Sequence, residues 1–341
     1  MTMLFMDGFD HYSTGDLGQM WDAVVGCSIV STPTRFGTGQ ALAIGDNAQS
    51  VNMNYASFTT FVVGAGFYFN SVTGTDTNNN IIFLDDVGNG KQVIIRLTLL
   101  GELEILNGNL TLLASSPVST IVANNYYYIE FKGTISTSVA ANSCQLRVNE
   151  NVVATVPTSS SIQNTGHAYY NRVGFSSNGP ISYLDDVYIC DQSGAVNNDF
   201  LGDSRVIPLY PNGNGDSSQW TNSIGNSTNN YTYVDDATPN GDTDYVKASS
   251  INLVDLYTFD SLTATTVFGI EQCSYARKDA AGTRHFQQVQ KVGGTVYTAS
   301  TATLLDTYTY YKQVIELNPD TSSAWTDTDI NSAQFGVKTV T

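Results

Sequence analysis

The chain is predicted to be all-β, two antiparallel β-sandwich domains in series, on three observations. Apolar and polar residues alternate with period two along most of the 341 residues. Sustained helical periodicity is scarce, and clusters of Asn, Gly, Asp and Ser punctuate the short apolar runs. The length suits two domains of ordinary size, each able to bury its own core.

In chain order, Val93, Ile95, Leu97 and Leu99 alternate with Gln92, Arg96 and Thr98, as in a half-buried strand. Leu103 and Ile105 alternate with Glu102 and Glu104, and Asn107-Gly108 then supplies a hairpin turn into a return strand with Leu110, Leu112 and Leu113. The pattern recurs in 126–132 and in 144–148, where Asn149-Glu150-Asn151 turns the chain into 152–156. A polar loop precedes strands at 172–175 and 185–191. Such spacing of short strands implies a sandwich.

A stretch rich in Asn, Gly and Ser, 212–230, holds Trp220 as its one aromatic residue. Strand-like runs resume at 244–247, 251–259, 266–275, 285–292, 295–299, 308–316 and 335–340, with one helical turn at 326–332 capped by Thr or Asp. The expected division is a first domain over 1–193, a polar hinge and entry segment over 194–230, and a second β-sandwich over 231–341 whose first strand starts as early as 203. Asn197, Asn198, Asp199, Gly202 and Asp203 are the expected inter-domain hinge.

Composition narrows the functional classes. Aliphatic and aromatic residues are 41% of the chain and charged residues only 13%, so Ser, Thr, Asn, Gln and Gly must cover the surface, which suits protein contact or sugar binding. Acidic residues outnumber basic ones 31 to 14, for a net charge of −17, and the basic ones are scattered, which argues against a nucleic-acid partner. Cys27, Cys144, Cys190 and Cys273 stand far apart without Cys-x-x-Cys or His partners, so free thiols are expected rather than a zinc site. The N-terminal 1–7 stretch lacks a basic flank and a small-residue cleavage site, so no secretory signal is expected. No apolar run approaches membrane-spanning length, and no membrane partner is expected.

No catalytic constellation emerges. Glu102, Glu104, Glu130, Glu150, Glu271 and Glu316 form no Glu-x-Asp-x-x-Glu cluster, and His11, His167 and His285 are remote from one another. Gly88-Asn89-Gly90-Lys91 lacks the first glycine of a phosphate loop and is a turn. The chain is therefore expected not to be an enzyme and to need no cofactor. Acidic segments at Asp235-Asp236 and 240–244 could donate oxygens to Ca²⁺, and the Asp242-x-Asp244 spacing makes Asp242 and Asp244 the Ca²⁺ candidates, against a solvated polar turn. Asp185-Asp186 is expected to cap a turn, with a calcium site as the rival. Tyr169 and Tyr170, and the 126–128 tyrosines, are candidates to face a glycan, against ordinary packing within strands.

Asp7-Gly8-Phe9-Asp10, Trp21, Tyr128-Ile129-Glu130-Phe131-Lys132, Arg147-Val148-Asn149 and Asp185-Asp186-Val187-Tyr188 together resemble a laminin-G or concanavalin-like jelly roll of tailed-bacteriophage virion proteins. Asn198-Asp199-Phe200-Leu201-Gly202-Asp203, Trp220-Thr221, Asp244-Tyr245-Val246, Ala276-Arg277-Lys278, Trp325-Thr326 and Phe335-Gly336-Val337-Lys338 resemble the continuation in the same proteins. The resemblance implies a non-enzymatic structural subunit of a phage virion, tail-associated or decorating the capsid, assembled in the bacterial cytoplasm. Its implied partners are other virion proteins and copies of itself. The alternative is a lectin-like receptor-binding module that recognises host-surface glycans.

Overall fold

The computed structural model describes residues 3–45, 49–72 and 79–340. The chain divides into two compact units, Met1–Val206 and Ile207–Thr341. Both are all-β and antiparallel.

The first unit contains β1 (Met3–Asp7), β2 (Ala23–Val25), β3 (Ser28–Val30), β4 (Ala41–Ile44), β5 (Gln49–Phe58), β6 (Thr60–Phe69), β7 (Asn79–Asp86) and β8 (Gly90–Leu97), with a short helix α1 (Leu17–Met20) between β1 and β2. It continues with β9 (Leu103–Asn107), β10 (Leu112–Ser115), β11 (Tyr126–Thr134), β12 (Ser143–Val148), β13 (Asn151–Thr155), β14 (Tyr170–Ser177) and β15 (Ser182–Cys190). One sheet runs β13-β12-β11-β6-β15-β4-β3, with β1 also on β15, and the other runs β10-β9-β8-β7-β14-β5-β2. The sheets face each other through aromatic contacts, Phe67 to Phe175 at 6.2 Å and Phe61 to Tyr170 at 6.2 Å. This is the expected sandwich.

The N-terminal motif builds one end of that core. Buried Asp7 accepts hydrogen bonds from Phe9 N (2.8 Å), Tyr12 OH (2.6 Å) and Trp21 Nε1 (2.9 Å). Trp21 stacks on Phe9 and meets Phe5 and Phe175 edge-on, so the carboxylate satisfies the polar tips of an aromatic cluster that the sheets could not otherwise bury.

Turn chemistry explains where strands differ from expectation. Asn149 and Glu150 both adopt positive φ (47° and 66°), and the β12–β13 hairpin forms at the expected place. Asn107-Gly108 instead opens a longer loop in which Asn107 Oδ1 accepts from Asn109 N and Thr111 N, and the return strand starts at Leu112. Gly108 is required there by close approach, since a Cβ would stand 1.7 Å from Lys91 O. Leu99 lies beyond the end of β8 and is exposed.

The second unit contains β16 (Pro211–Ser218), β17 (Thr221–Asn222), β18 (Val246–Lys247), β19 (Val254–Phe259), β20 (Ile270–Ala276), β21 (His285–Val292), β22 (Thr295–Thr298), β23 (Ala302–Thr303), β24 (Thr309–Ile315), α2 (Asp327–Ser332) and β25 (Gln334–Val340). The main sheet runs β16-β19-β25-β21-β22 with β23 on β21, and β20-β24 forms a separate ribbon. Thr326 caps α2 as expected, accepting from Asp329 N and forming a capping box. Its apolar core is Val292, Trp325, Ile330, Ala333 and Phe335.

A glutamine layer joins ribbon and sheet. Gln288 Nε2, on β21, donates to Gln272 O (2.8 Å), Ser274 Oγ (3.0 Å) and Tyr311 O (3.0 Å), and Gln290 Nε2 donates to Gln272 Oε1 (2.6 Å). Gln288→Leu strands part-buried acceptors on both ribbon strands and is expected to cost about 1–2 kcal/mol. Calorimetric thermal unfolding of the second-unit transition checks this, and an unchanged transition would contradict the role of the layer.

The expected hinge is corrected at both ends. Residues 194–206 belong to the first unit, and 211–218 form strand β16 despite a Pro-Asn-Gly-Asn-Gly-Asp-Ser-Ser composition. β16 tolerates these residues because it lies at a sheet edge and pairs with β19 through two register irregularities. The polar segment after it is held by Asp255, which is buried and accepts from Trp220 N (3.2 Å), Asn230 Nδ2 (2.8 Å) and Tyr257 OH (2.6 Å).

Candidate functional site

Strand alternation sets the outer face of the seven-stranded sheet. Val173 and Phe175 point into the sandwich, so Arg172, Gly174 and Ser176 of β14 point outward. Register then lays down three rows across the sheet. Asn54, Arg172, Asp85 and Lys91 form the first. Asn52, Gly174, Phe83, Ile94 and Leu106 form the second, with the Phe83 ring over Gly174, where a Cβ would come within 2.0 Å of it. Asn80, Arg96 and Glu104 lie in the third.

The cations of this face are engaged. Arg172 Nε donates to Asn54 Oδ1 at 2.9 Å, and its Nη1 lies 3.5 Å from Asp85 Oδ2. Arg96 bonds Glu104 Oε2 through Nε at 2.6 Å and Nη2 at 2.5 Å. The Lys91 ammonium stands 4.6 Å from the centre of the Phe83 ring.

Three acceptors on the same face are not engaged. Asn52 Oδ1, Asn80 Oδ1 and Asp85 Oδ1 are buried without a hydrogen-bond partner, and each residue is only 8% exposed. Burying an unsatisfied polar group costs about 1–3 kcal/mol, so three on one surface are a reservoir for a ligand's donors. Burial lifts the Asp85 carboxyl above the usual carboxylate range, against the pull of Lys91 and Arg172.

One end of the face is bounded by a rigid loop. Buried Gln92 clamps it, accepting from Asn164 N (2.7 Å) and Thr165 N (3.1 Å) and donating to Thr165 Oγ1 (2.8 Å) and His167 O (2.7 Å). Asp86 accepts from Thr165 Oγ1 (2.6 Å) and Asn89 Nδ2 (3.0 Å), and its Oδ2 lies 2.9 Å from His167 Nδ1. Burial works against the Asp86 charge, but these bonds outweigh it and hold the carboxyl below its usual range. Tyr169 stacks on His167 at 4.9 Å with the rings 11° from parallel.

Of the two tyrosines singled out from sequence, only Tyr169 reaches this surface, and it is half-buried. Tyr170 is corrected to a core residue: it is 0% exposed and its ring packs on Phe61 across the sandwich. Tyr169 lies before β14 and stays with the His167 loop, whereas Tyr170 opens the strand ahead of a register irregularity with its ring in the core, so the two form no common platform. Tyr126 pairs across strands with Tyr68, and Tyr68 with Tyr183, as an aromatic ladder on the other sheet.

The Asp185-Asp186 pair lies on that other sheet. At a bulge in β15, Asp186 takes φ of 50°, where the neighbour of β15 changes from β4 to β1. The bulge turns two successive carboxylates onto one arginine. Arg35 N donates to Asp185 Oδ2 (3.1 Å) and Arg35 Nη1 to Asp186 Oδ2 (2.8 Å), while its guanidinium lies over Tyr128 at 4.4 Å. Gly66 leaves room for the arginine stem, and Gly64 for the Tyr188 ring.

These groups fasten residues 198–206 down as a strap. Leu201 N donates to Tyr188 OH (3.2 Å), Gly202 N to Glu130 Oε1 (2.8 Å), Asp203 N to Glu150 Oε1 (3.2 Å) and Val206 N to Asp186 Oδ1 (2.8 Å). Arg35 also pairs with Asp203 and donates to Ser204 O (2.6 Å), and Lys132 bonds Asn198 O and Asp199. Asn198, Asp199, Gly202 and Asp203 are thus parts of a fixed strap, and Asn197, at φ 56°, leads into it. Capping of amides by Asp185 and Asp186 is what the structure shows.

In the second unit, Asp242 Oδ1 accepts from Arg277 Nη2 and Tyr308 OH, both at 2.9 Å, which holds its carboxyl below the usual range. Asp244 Oδ1 takes Asn240 Nδ2 at 2.5 Å. Asp242 therefore has a protein cation as its partner. Among the described residues, no group of three or more His, Cys, Asp or Glu is arranged to hold a metal ion.

No family model and no curated protein matches the chain. Among solved structures it is similar to the cellulose induced protein Cip1, with TM-score 0.42 and 13% identity over 59% of this chain and 100% of that one. It is similar also to the carbohydrate-binding module CBM66 from Bacillus subtilis (TM-score 0.33, 11% identity, 50% of this chain and 94% of that one). A third is a Bacillus subtilis protein of unknown function with a galectin-like fold (TM-score 0.36, 9% identity, 56% of this chain and 98% of that one). Scores this low transfer no ligand; the class, an antiparallel β-sandwich of jelly-roll type, rests on the chain's own strand pairing. Nothing in these comparisons points to a phage virion protein.

Proposed function

We propose that the first unit is a non-catalytic carbohydrate-binding module whose ligand lies on the outer face of the seven-stranded sheet. The observation that carries this is the group of unpaired buried acceptors, Asn52 Oδ1, Asn80 Oδ1 and Asp85 Oδ1, beside Arg172 and Asn54. Polar groups held in place by strand register, with a loop locked by Gln92 at one end, line the surface offered to a hydroxyl-rich ligand. Binding rather than hydrolysis follows from the state of the carboxylates. Asp86 is committed to Thr165, Asn89 and His167, and Glu104 to Arg96, which leaves no facing acid and base pair among these residues.

Affinity electrophoresis through gels containing polysaccharides tests the reading. The wild type is expected to be retarded by at least one polysaccharide, and Asp85→Ala to lose about tenfold in affinity, equivalent to about 1.4 kcal/mol. A wild-type protein that no polysaccharide retards would overturn it.

A further inference from the structure

Resting on that carbohydrate reading, we infer that the ligand is a neutral saccharide presenting hydroxyl donors and that acidic saccharides are excluded. What the face lacks is donors for its acceptors: Asn52 Oδ1, Asn80 Oδ1 and Asp85 Oδ1 each await an O–H or N–H group. A saccharide hydroxyl supplies such a donor, whereas a carboxylate or sulfate has only acceptors to offer.

The groups that would receive an anion are already engaged within the sheet. The Arg172 guanidinium spans Asn54 and Asp85, and the Arg96 guanidinium is fastened twice to Glu104 Oε2. Lys91 lies over the Phe83 ring and stands opposite Asp85 in the strand register, so an incoming anion meets the Asp85 carboxyl beside it. Asp86, next in sequence, is held ionised by its three partners and adds a further negative charge at that end. At longer range the chain's net charge of −17 repels polyanions before contact.

The consequence extends to salt. Hydrogen bonds from neutral hydroxyls are nearly indifferent to ionic strength, while binding of a polyanion to isolated cations weakens steeply as salt screens it. The full chain is to be titrated calorimetrically with neutral galactan, arabinan, mannan and β-glucan oligosaccharides, and with oligogalacturonate, alginate and sialyllactose, at 50 and 500 mM NaCl. Expected is binding to at least one neutral oligosaccharide, at least tenfold tighter than to any acidic one and changing less than twofold between the two salt concentrations. Asn52→Ala and Asp85→Ala are each expected to weaken it at least fivefold, with circular dichroism spectra showing that the variants remain folded. Equal or tighter binding of an acidic oligosaccharide would overturn the inference and leave the carbohydrate reading standing. Absence of binding to every probe would remove both.

Discussion

Arg35→Ala is expected to destabilise the first unit by about 3–5 kcal/mol, because removing one partner of a buried ion pair leaves the other's charge uncompensated. The Arg35 side chain is 7% exposed and neutralises Asp186, while its backbone caps Asp185 and its guanidinium also holds Asp203 and Ser204 O. Asp10 lies close enough to feel the charge of Asp186. The loss therefore exceeds that of one surface pair, which is worth about 0–1 kcal/mol. The measurement is urea unfolding of the first-unit transition, paired with amide exchange at Leu201, Gly202 and Val206. Exchange there should accelerate more than in β6, because the strap loses its central anchor while the sheet keeps its ladder. Uniform acceleration, or none, would refute the clamp.

Stability should also fall as pH rises from about 4 to about 8. Burial, reinforced by the charge of Asp186, pushes the Asp185 carboxyl up to about 8 from its ordinary 3.8. Burial likewise pushes Asp10 up to about 6. A carboxyl whose folded pKa is raised binds its proton more tightly in the folded state. Its contribution to stability is thus complete below the unfolded value and is lost as pH rises through the folded one. One pKa unit is worth about 1.4 kcal/mol; allowing for the compensating charge of Arg35, the expected fall is about 2 kcal/mol, or roughly 5 °C in Tm. Calorimetric scans between pH 4.5 and 8.5 check this. Asp10→Asn, which can still accept from Gln40 N, is expected to flatten the profile and raise the Tm at pH 8. A Tm that climbs with pH across this range would contradict the assignment.

Much of the fold was legible because strand patterning is local. The alternation in β8 and β9, the Asn149-Glu150 turn and the Thr326 cap each depend on residues a few positions apart, and each forms where the sequence places it. The polar stretch before β19 was misleading for a physical reason. An edge strand needs few apolar residues, so composition resembling a hinge also fits β16. The 197–203 segment reads as a linker because its partners Arg35, Glu130 and Glu150 lie far away in the sequence.

The candidate site was legible only in part. Tyr169 and Tyr170 looked equivalent as neighbours in sequence, but Tyr170 begins β14 with its ring in the core while Tyr169 remains in the loop beside His167. Asn52, Asn80 and Asp85 carry no motif. The one available signal was polar residues within otherwise apolar strands, at Asn52 in β5 and at Asn80 and Asp85 in β7.

By itself the sequence determined an acidic, all-β, two-part chain with short turns and no catalytic motif, because composition and period-two patterning are properties of neighbouring residues. Tertiary structure decided which polar residues meet: the carboxylates that capture the strap, the glutamine layer of the second unit, and the three acceptors left open on one sheet face. Those outcomes depend on register between strands distant in the chain, and a one-residue slip would send every such side chain to the opposite face.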